Sequence, residues 1–268
     1  MSSNPTSHFV IIPNRPIAQE NGEINQGSLK LHYWEWQGHQ PTILFCHAAS
    51  FHGRYFRGHG RSQTHPPPYH VRWHGEDVLQ FIETLNLNKD NLIGIGHSMG
   101  GYALIYAAAI ASTRLFRSLL LFDPGIIPRL LYDMLEKLEK REPFSRWSKD
   151  ILRNYCTYAL DENSKLICNS EGEHSMYQSS LQTNSNIYPF IEQSKFIQDI
   201  PIHIVRSSFP LIVGQFDTSP TAPDLVKWFQ KGRDTQMKNA THLFPMEQPE
   251  LIIDFVKEMI KDNIRSQL

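Results

Sequence analysis

Apolar positions along the chain follow two rhythms that alternate in its first and last parts. The runs HFVIIP (8–13) and LKLHYWEWQ (29–37) cluster β-forming residues on either side of the turn-forming ENGEINQG, and so predict an antiparallel pair. PTILFC (41–46), NLIGIG (91–96), SLLLF (118–122) and IPIHIV (200–205) are short apolar runs of the kind a buried parallel strand needs. Helical patterns fall between and after them, over Gly75 to Leu85, Gly100 to Ser112, APDLVKWFQ (222–230) and PELIIDFVKEMIKDN (249–263), with DTQMKN (234–239) as a short strand before the last. Strand and helix in alternation predict an α/β fold, a mostly parallel sheet flanked by helices on both faces.

The stretch 125–199 breaks this rhythm. Leu130, Leu131, Met134, Leu135 and Leu138 recur at helical spacing, Ile151, Leu152 and Tyr155 continue in a second amphipathic run, and a Ser/Asn-rich polar segment follows. Helices without an intervening strand, inserted between two sheet strands, read as a lid. The expected organisation is therefore a core of residues 1–124 and 200–268 and a helical cap of residues 125–199.

Charge and composition narrow the function by exclusion. With 26 basic and 27 acidic side chains the net charge is -1, which provides no basic footprint for nucleic acid and no polybasic stretch for an anionic membrane. The first residues lack a basic segment leading into an apolar run, and no stretch reaches about 18 consecutive apolar residues, so a cytoplasmic location is expected. Three cysteines (Cys46, Cys156, Cys168) without a CxxC pair argue against a disulfide framework or a zinc site.

Chemistry enters at Gly96-His97-Ser98-Met99-Gly100. It fits G-x-S-x-G between a predicted strand and a predicted helix, where a tight turn lifts a serine hydroxyl above the sheet and the helix start offers free N–H groups. With this motif the chain resembles the alpha/beta-hydrolase superfamily, in its lidded branch with a serine nucleophile. FCHAASFHG resembles the family's oxyanion-loop segment, RGHGRS (57–62) its usual loop, GHSMGG its nucleophile elbow and THLFPMEQPE (241–250) the stretch with the catalytic histidine, in family order.

The resemblance implies a serine hydrolase that needs no cofactor or metal. Ser98 would be the nucleophile, His242 the base and a carboxylate the group that orients it, since a serine hydroxyl at neutral pH needs an imidazole to take its proton. Asp217, in GQFDTSPTAPDL, matches the family's usual place for the acid. Asp123, in LLLFDPG, is the rival, because some members carry the acid after the preceding strand. The oxyanion hole would use the backbone N–H groups of Met99 and Ala49. The expected substrate is a small, partly apolar ester, or a thioester, lactone or activated carbon–carbon bond.

One departure stands out. The family fits a helix and a further strand between the segments that end here at Cys46 and begin at Gly58, yet only residues 47–57 lie between them. A parallel crossover alone takes about a dozen residues. The sheet is expected to lack one central strand and one helix after residue 46, and the alternative function is a non-catalytic member of the fold that binds a ligand or serves as a scaffold.

Overall fold

A computed structural model describes residues 4–49, 56–127, 185–208 and 219–265, together with the single residues 129, 176, 179 and 180. The chain divides into two compact units, one of residues 1–38, 49–86 and 129–186, the other of residues 39–48, 87–128 and 187–268.

The first unit is built on an antiparallel hairpin of β1 (Thr6–Ala18) and β2 (Ile24–Glu35), turned at Gly22 with φ 82°. Val10 pairs with Leu31 and Ile12 with Leu29, and these four side chains form one inward row while Ile11 faces out. The alternation follows from the pleat, which sends successive side chains to opposite faces. Helix α1 (Val71–Thr84) covers the row through Phe81, with Leu85 just past its end. It begins before the expected Gly75 because the ring of His70 caps it, with Nδ1 accepting from Arg72 N–H at 3.2 Å.

Beneath α1 lies a buried charge cluster. The Arg57 guanidinium donates to both Asp77 oxygens at 2.6 Å, and Arg15 donates to Asp77 Oδ1 and to Glu76, each at 2.7 Å. Arg57 also donates to the carbonyl of Pro16 at 2.6 Å. The RGHGRS loop is thereby tied to strand β1 and helix α1.

The second unit carries a five-stranded parallel sheet in the order β3 (Thr42–Cys46), β4 (Leu92–His97), β5 (Ser118–Phe122), β6 (Ile202–Arg206), β7 (Gly232–Gln236). The sequence of β4 divides its two faces cleanly. Ile93 and Ile95 join Leu120, Phe122 and Val205 in a core closed by helices α4 (Phe244–Glu247) and α5 (Pro249–Arg265), numbered after α2 and α3 below, with α5 contributing Leu251, Ile252, Phe255, Val256 and Met259. Gly94 and Gly96, on the alternate positions, face helix α2 (Met99–Ile110). All residues of α2 but Ile110 are buried, as expected of a helix that is apolar all round. Helix α3 (Tyr188–Gln193) packs beside α2 through Phe190 against Tyr106.

Two expected elements take another form. The run 222–230 makes only a 3-10 turn at Leu225–Trp228, where Lys227 N–H bonds back to Asp224, and the strand expected at 234–239 sits earlier, in register from Ile202 and Gly232. Among the described residues, β3 has a strand partner on one side only, β4, and Phe45 on it is exposed. The expected cap falls largely outside the described residues; of it, Arg129, Met176, Ser179, Ser180, α3 and a turn at Ile197–Asp199 are helical, the last two within the second unit. No helix among the described residues is long and apolar enough to cross a membrane.

Candidate active site

Strand β4 ends at His97, and the chain turns into α2 through Ser98 at φ 51° and ψ -116°. A non-glycine residue rarely adopts this conformation, and here the surroundings over-determine it. Ser98 N–H bonds to Phe122 O at 3.0 Å, while Ser98 O accepts from Tyr102 N–H at 3.1 Å and Gly125 N–H at 3.0 Å. The flanking glycines are required by contact. A Cβ on Gly96 would stand 2.8 Å from the backbone of Gly100, and one on Gly100 would stand 2.2 Å from Cys46 O. Only a bare backbone lets α2 start so close to the ends of β3 and β4.

His242 follows β7 in a turn held by Thr241, whose hydroxyl accepts from Leu243 N–H at 3.0 Å and donates to Glu247 at 2.7 Å. Its Nε2 lies 3.0 Å from Ser98 Oγ and its Nδ1 lies 2.6 Å from Asp123 Oδ2. An ionised carboxylate only accepts, so Nδ1 carries the proton, and Nε2 is left to accept from the serine hydroxyl.

Asp123 stands at the end of β5 with φ 43°, fixed by its N–H to Val205 O at 2.7 Å. It is fully buried. Its Oδ1 accepts from Ser219 Oγ, from Thr221 Oγ1 at 3.0 Å and from Ser207 N–H at 3.3 Å.

His97, the variable residue before the serine, turns its ring toward the same loop. Its Nε2 lies 3.0 Å from the His242 carbonyl and donates to it, and the two rings are 5.0 Å apart. Burial, and next the proximity of His242, lower the His97 pKa to about 4, so this ring is neutral near pH 7. Burial also pushes the Cys46 thiol up to about 12, which leaves it protonated and inert.

Of the residues expected from sequence, Ser98 and His242 are brought together. The carboxylate found on His242 Nδ1 is that of Asp123, the rival; the preferred Asp217 lies outside the described residues. The physical reason is reach: the tie between Asp123 N–H and β6, with a left-handed φ, aims the side chain at the histidine, whereas a DP at a strand end reads from sequence as a mere turn. Met99 is the first residue of α2 and its N–H has no acceptor within the helix, as for every first-turn amide. Ala49 is buried and belongs to the first unit. Sequence reasoning missed His97, Ser207, Ser219 and Thr221. The only signal was the polar cluster DTSPT, which reads as a helix cap. No group of three or more metal-ligating side chains occurs among the described residues.

A family model described as the alpha/beta hydrolase family matches residues 31–255. No curated protein matches by sequence. Among solved structures, a thermophilic esterase from Thermogutta terrifontis is similar at 16% identity and a TM-score of 0.63, over 96% of this chain and 99% of that one. The peroxisomal alpha/beta-hydrolase Lpx1 of Saccharomyces cerevisiae is similar at 14% identity and a TM-score of 0.62, over 99% of this chain and 89% of that one. The enol-lactonase of Burkholderia xenovorans is similar at 16% identity and a TM-score of 0.57, over 97% of this chain and 98% of that one. At such identities the likeness is one of fold.

Proposed function

Because the chain belongs to the alpha/beta hydrolase family, we propose that it is a serine hydrolase acting on a small, partly apolar carboxylic ester, with Ser98 as nucleophile, His242 as base and Asp123 as acid. The observation that carries this reading is the continuous hydrogen-bonded line Ser98 Oγ, His242 Nε2, His242 Nδ1, Asp123 Oδ2, at 3.0 and 2.6 Å, drawn from three strand ends.

In this mechanism His242 takes the Ser98 proton as Oγ attacks the acyl carbon, and the carbonyl oxygen becomes an oxyanion. The Met99 amide, free at the start of α2, receives that charge; removal of one such donor costs about 2.7–4 kcal/mol in a comparable hydrolase. His242 then protonates the departing alcohol, leaving an acyl group on Ser98. A water activated by the same imidazole attacks the acyl carbon, and collapse returns the proton to Ser98 and releases the acid. Asp123 keeps Nδ1 protonated and balances the imidazolium in both halves without taking its proton. Esters come first because a similar fold belongs to an esterase, while a lactone or thioester would pass through the same steps. Residues 125–199 are assigned as the cap, and no cofactor enters the scheme.

A fluorophosphonate tests the reading directly. One phosphonyl group is expected on Ser98 by peptide mass spectrometry, absent in Ser98→Ala and strongly slowed in His242→Ala. A screen of short and medium acyl p-nitrophenyl esters then ranks substrates. A second reading, a non-catalytic ligand binder, draws on β3, which pairs only with β4 among the described residues. Wild-type protein that is folded yet neither labels nor turns over any ester would favour it and overturn the first.

A further inference from the structure

We propose that Ser219 is a positioning residue for this reaction, its hydroxyl fixing the plane of the Asp123 carboxylate so that Oδ2 stays aimed at His242. The inference rests on the reading of Ser98, His242 and Asp123 given above and extends it by one group.

The torsion that turns a carboxylate about its own axis is soft and broad. Among the described residues Oδ2 is held by one bond, to His242. Whether that bond keeps its direction therefore depends on Oδ1, which has three partners among the described residues. They are not equivalent. Thr221 has a single hydroxyl proton and lies nearer the Pro124 carbonyl, at 2.7 Å, than Asp123 Oδ1, at 3.0 Å. The Ser207 amide is longer still at 3.3 Å. The Ser219 oxygen accepts from Thr221 N–H at 3.2 Å, which turns its own proton toward Oδ1, its one acceptor among the described residues.

The arrangement is a relay of orientation. Backbone N–H of Thr221 sets the Ser219 hydroxyl, the hydroxyl sets the carboxylate, the carboxylate sets the imidazole, and the imidazole faces Ser98. Ser219 and Asp123 are both buried, where a hydrogen bond to an ionised oxygen is about twice as strong as a neutral one. No proton leaves Ser219 at any step; it donates a hydrogen bond to a carboxylate that stays ionised. Ser219 stands two residues after Asp217, so the loop that was expected to supply the acid supplies the group that holds it.

The test measures fluorophosphonate labelling of full-length protein and separates the labelling rate constant from the affinity for the reagent. Ser219→Ala is expected to lower the rate constant by about tenfold or more, the loss of a hydrogen bond to a charged group, with affinity unchanged because Ser219 lies behind the acid. Ser219→Thr, which keeps the hydroxyl, should recover most of the rate. The low-field proton resonance of His242 Nδ1 should move or broaden in Ser219→Ala and return in Ser219→Thr. If the alanine variant does not fold, Ser219→Cys, a weak donor of similar size, should show the same drop. A wild-type rate constant in the variant that removes the hydroxyl, a loss confined to affinity, or a threonine variant no better than alanine would each overturn the inference. Asp123→Asn run in parallel separates the two claims. If it is slow while Ser219→Ala is normal, only the role of Ser219 falls; if it labels at the wild-type rate, the assignment of the acid itself is wrong.

Discussion

Two buried aspartates, one in each unit, make opposite use of similar bonds. Asp77 and Asp123 are both sealed from solvent, and each accepts a hydrogen bond at 2.6 Å. Asp77 receives its bonds from Arg57 and Arg15, whose guanidinium groups never lose their charge. Asp123 receives hydroxyls, one amide and an imidazole, all able to stand neutral. The first carboxylate is fully compensated at rest and has nothing left to respond with. The second is compensated by dipoles, and gains a full opposite charge only when the imidazole picks up a proton. In the proposed reaction, chemistry belongs to the aspartate whose partner can change its charge.

Replacing each aspartate separates these uses. Asp123→Asn should lower turnover per folded molecule by about 10⁴-fold, the scale found when a triad aspartate becomes an amide and the histidine adopts the wrong tautomer, while the melting temperature moves little. Ester hydrolysis of the purified variant beside a thermal melt reads both, and a collapse of the fold with normal turnover in the remainder would erase the contrast. The reverse pattern is expected at Asp77→Ala. Two guanidiniums left buried without their shared acceptor should destabilise the fold by about 3–5 kcal/mol. Urea unfolding measures this, and a loss below about 1 kcal/mol would mean that the cluster is already relaxed or wet.

The effect confined to acid pH comes from His97, which adjoins His242, the partner of Asp123, but is kept neutral. Its pKa is lowered from 6.5 to about 4, chiefly by burial, so the unfolded chain binds a proton that the folded chain refuses over that interval. Stability should therefore be level above about pH 6.5, fall as the pH drops toward about 4, and level off below. His203, lowered to about 4 by burial and then by Arg233, adds to the same slope. Melting temperatures taken from pH 7.5 to 4 should decline through this window, and less steeply in His97→Phe; an identical slope in that variant would exclude His97 as a source.

The fold was legible in the chain wherever one residue type met one environment. In NLIGIG the isoleucines and glycines alternate because one face of β4 fills a core, while on the other Gly94 makes room for the side chains of Leu104 and Leu119 and Gly96 for the backbone of α2. Ser98 and His242 were legible for a related reason, each sitting in a short local pattern whose geometry is set by its neighbours. The acid was not. In sequence Asp123 and Asp217 both follow a strand-like run, and what marks Asp123 is a bond to Val205 and a left-handed φ, features that arise only once β5 and β6 lie side by side. The start of α1 escaped notice because a histidine ring does the capping usually read from Ser, Thr, Asp or Asn.

The amide ties of Ser98 and Asp123 carry a consequence for heat. Ser98 N–H bonds to the last residue of β5, and Asp123 N–H bonds into β6, so the proposed nucleophile and acid stand at sheet spacing, on rungs of the same ladder. Their separation can drift only if neighbouring strands part, which is global melting. His242 alone is carried by a turn beyond the sheet. On the proposed reading, warming is expected to loosen the imidazole before the two groups that the sheet holds, so that activity falls ahead of global melting.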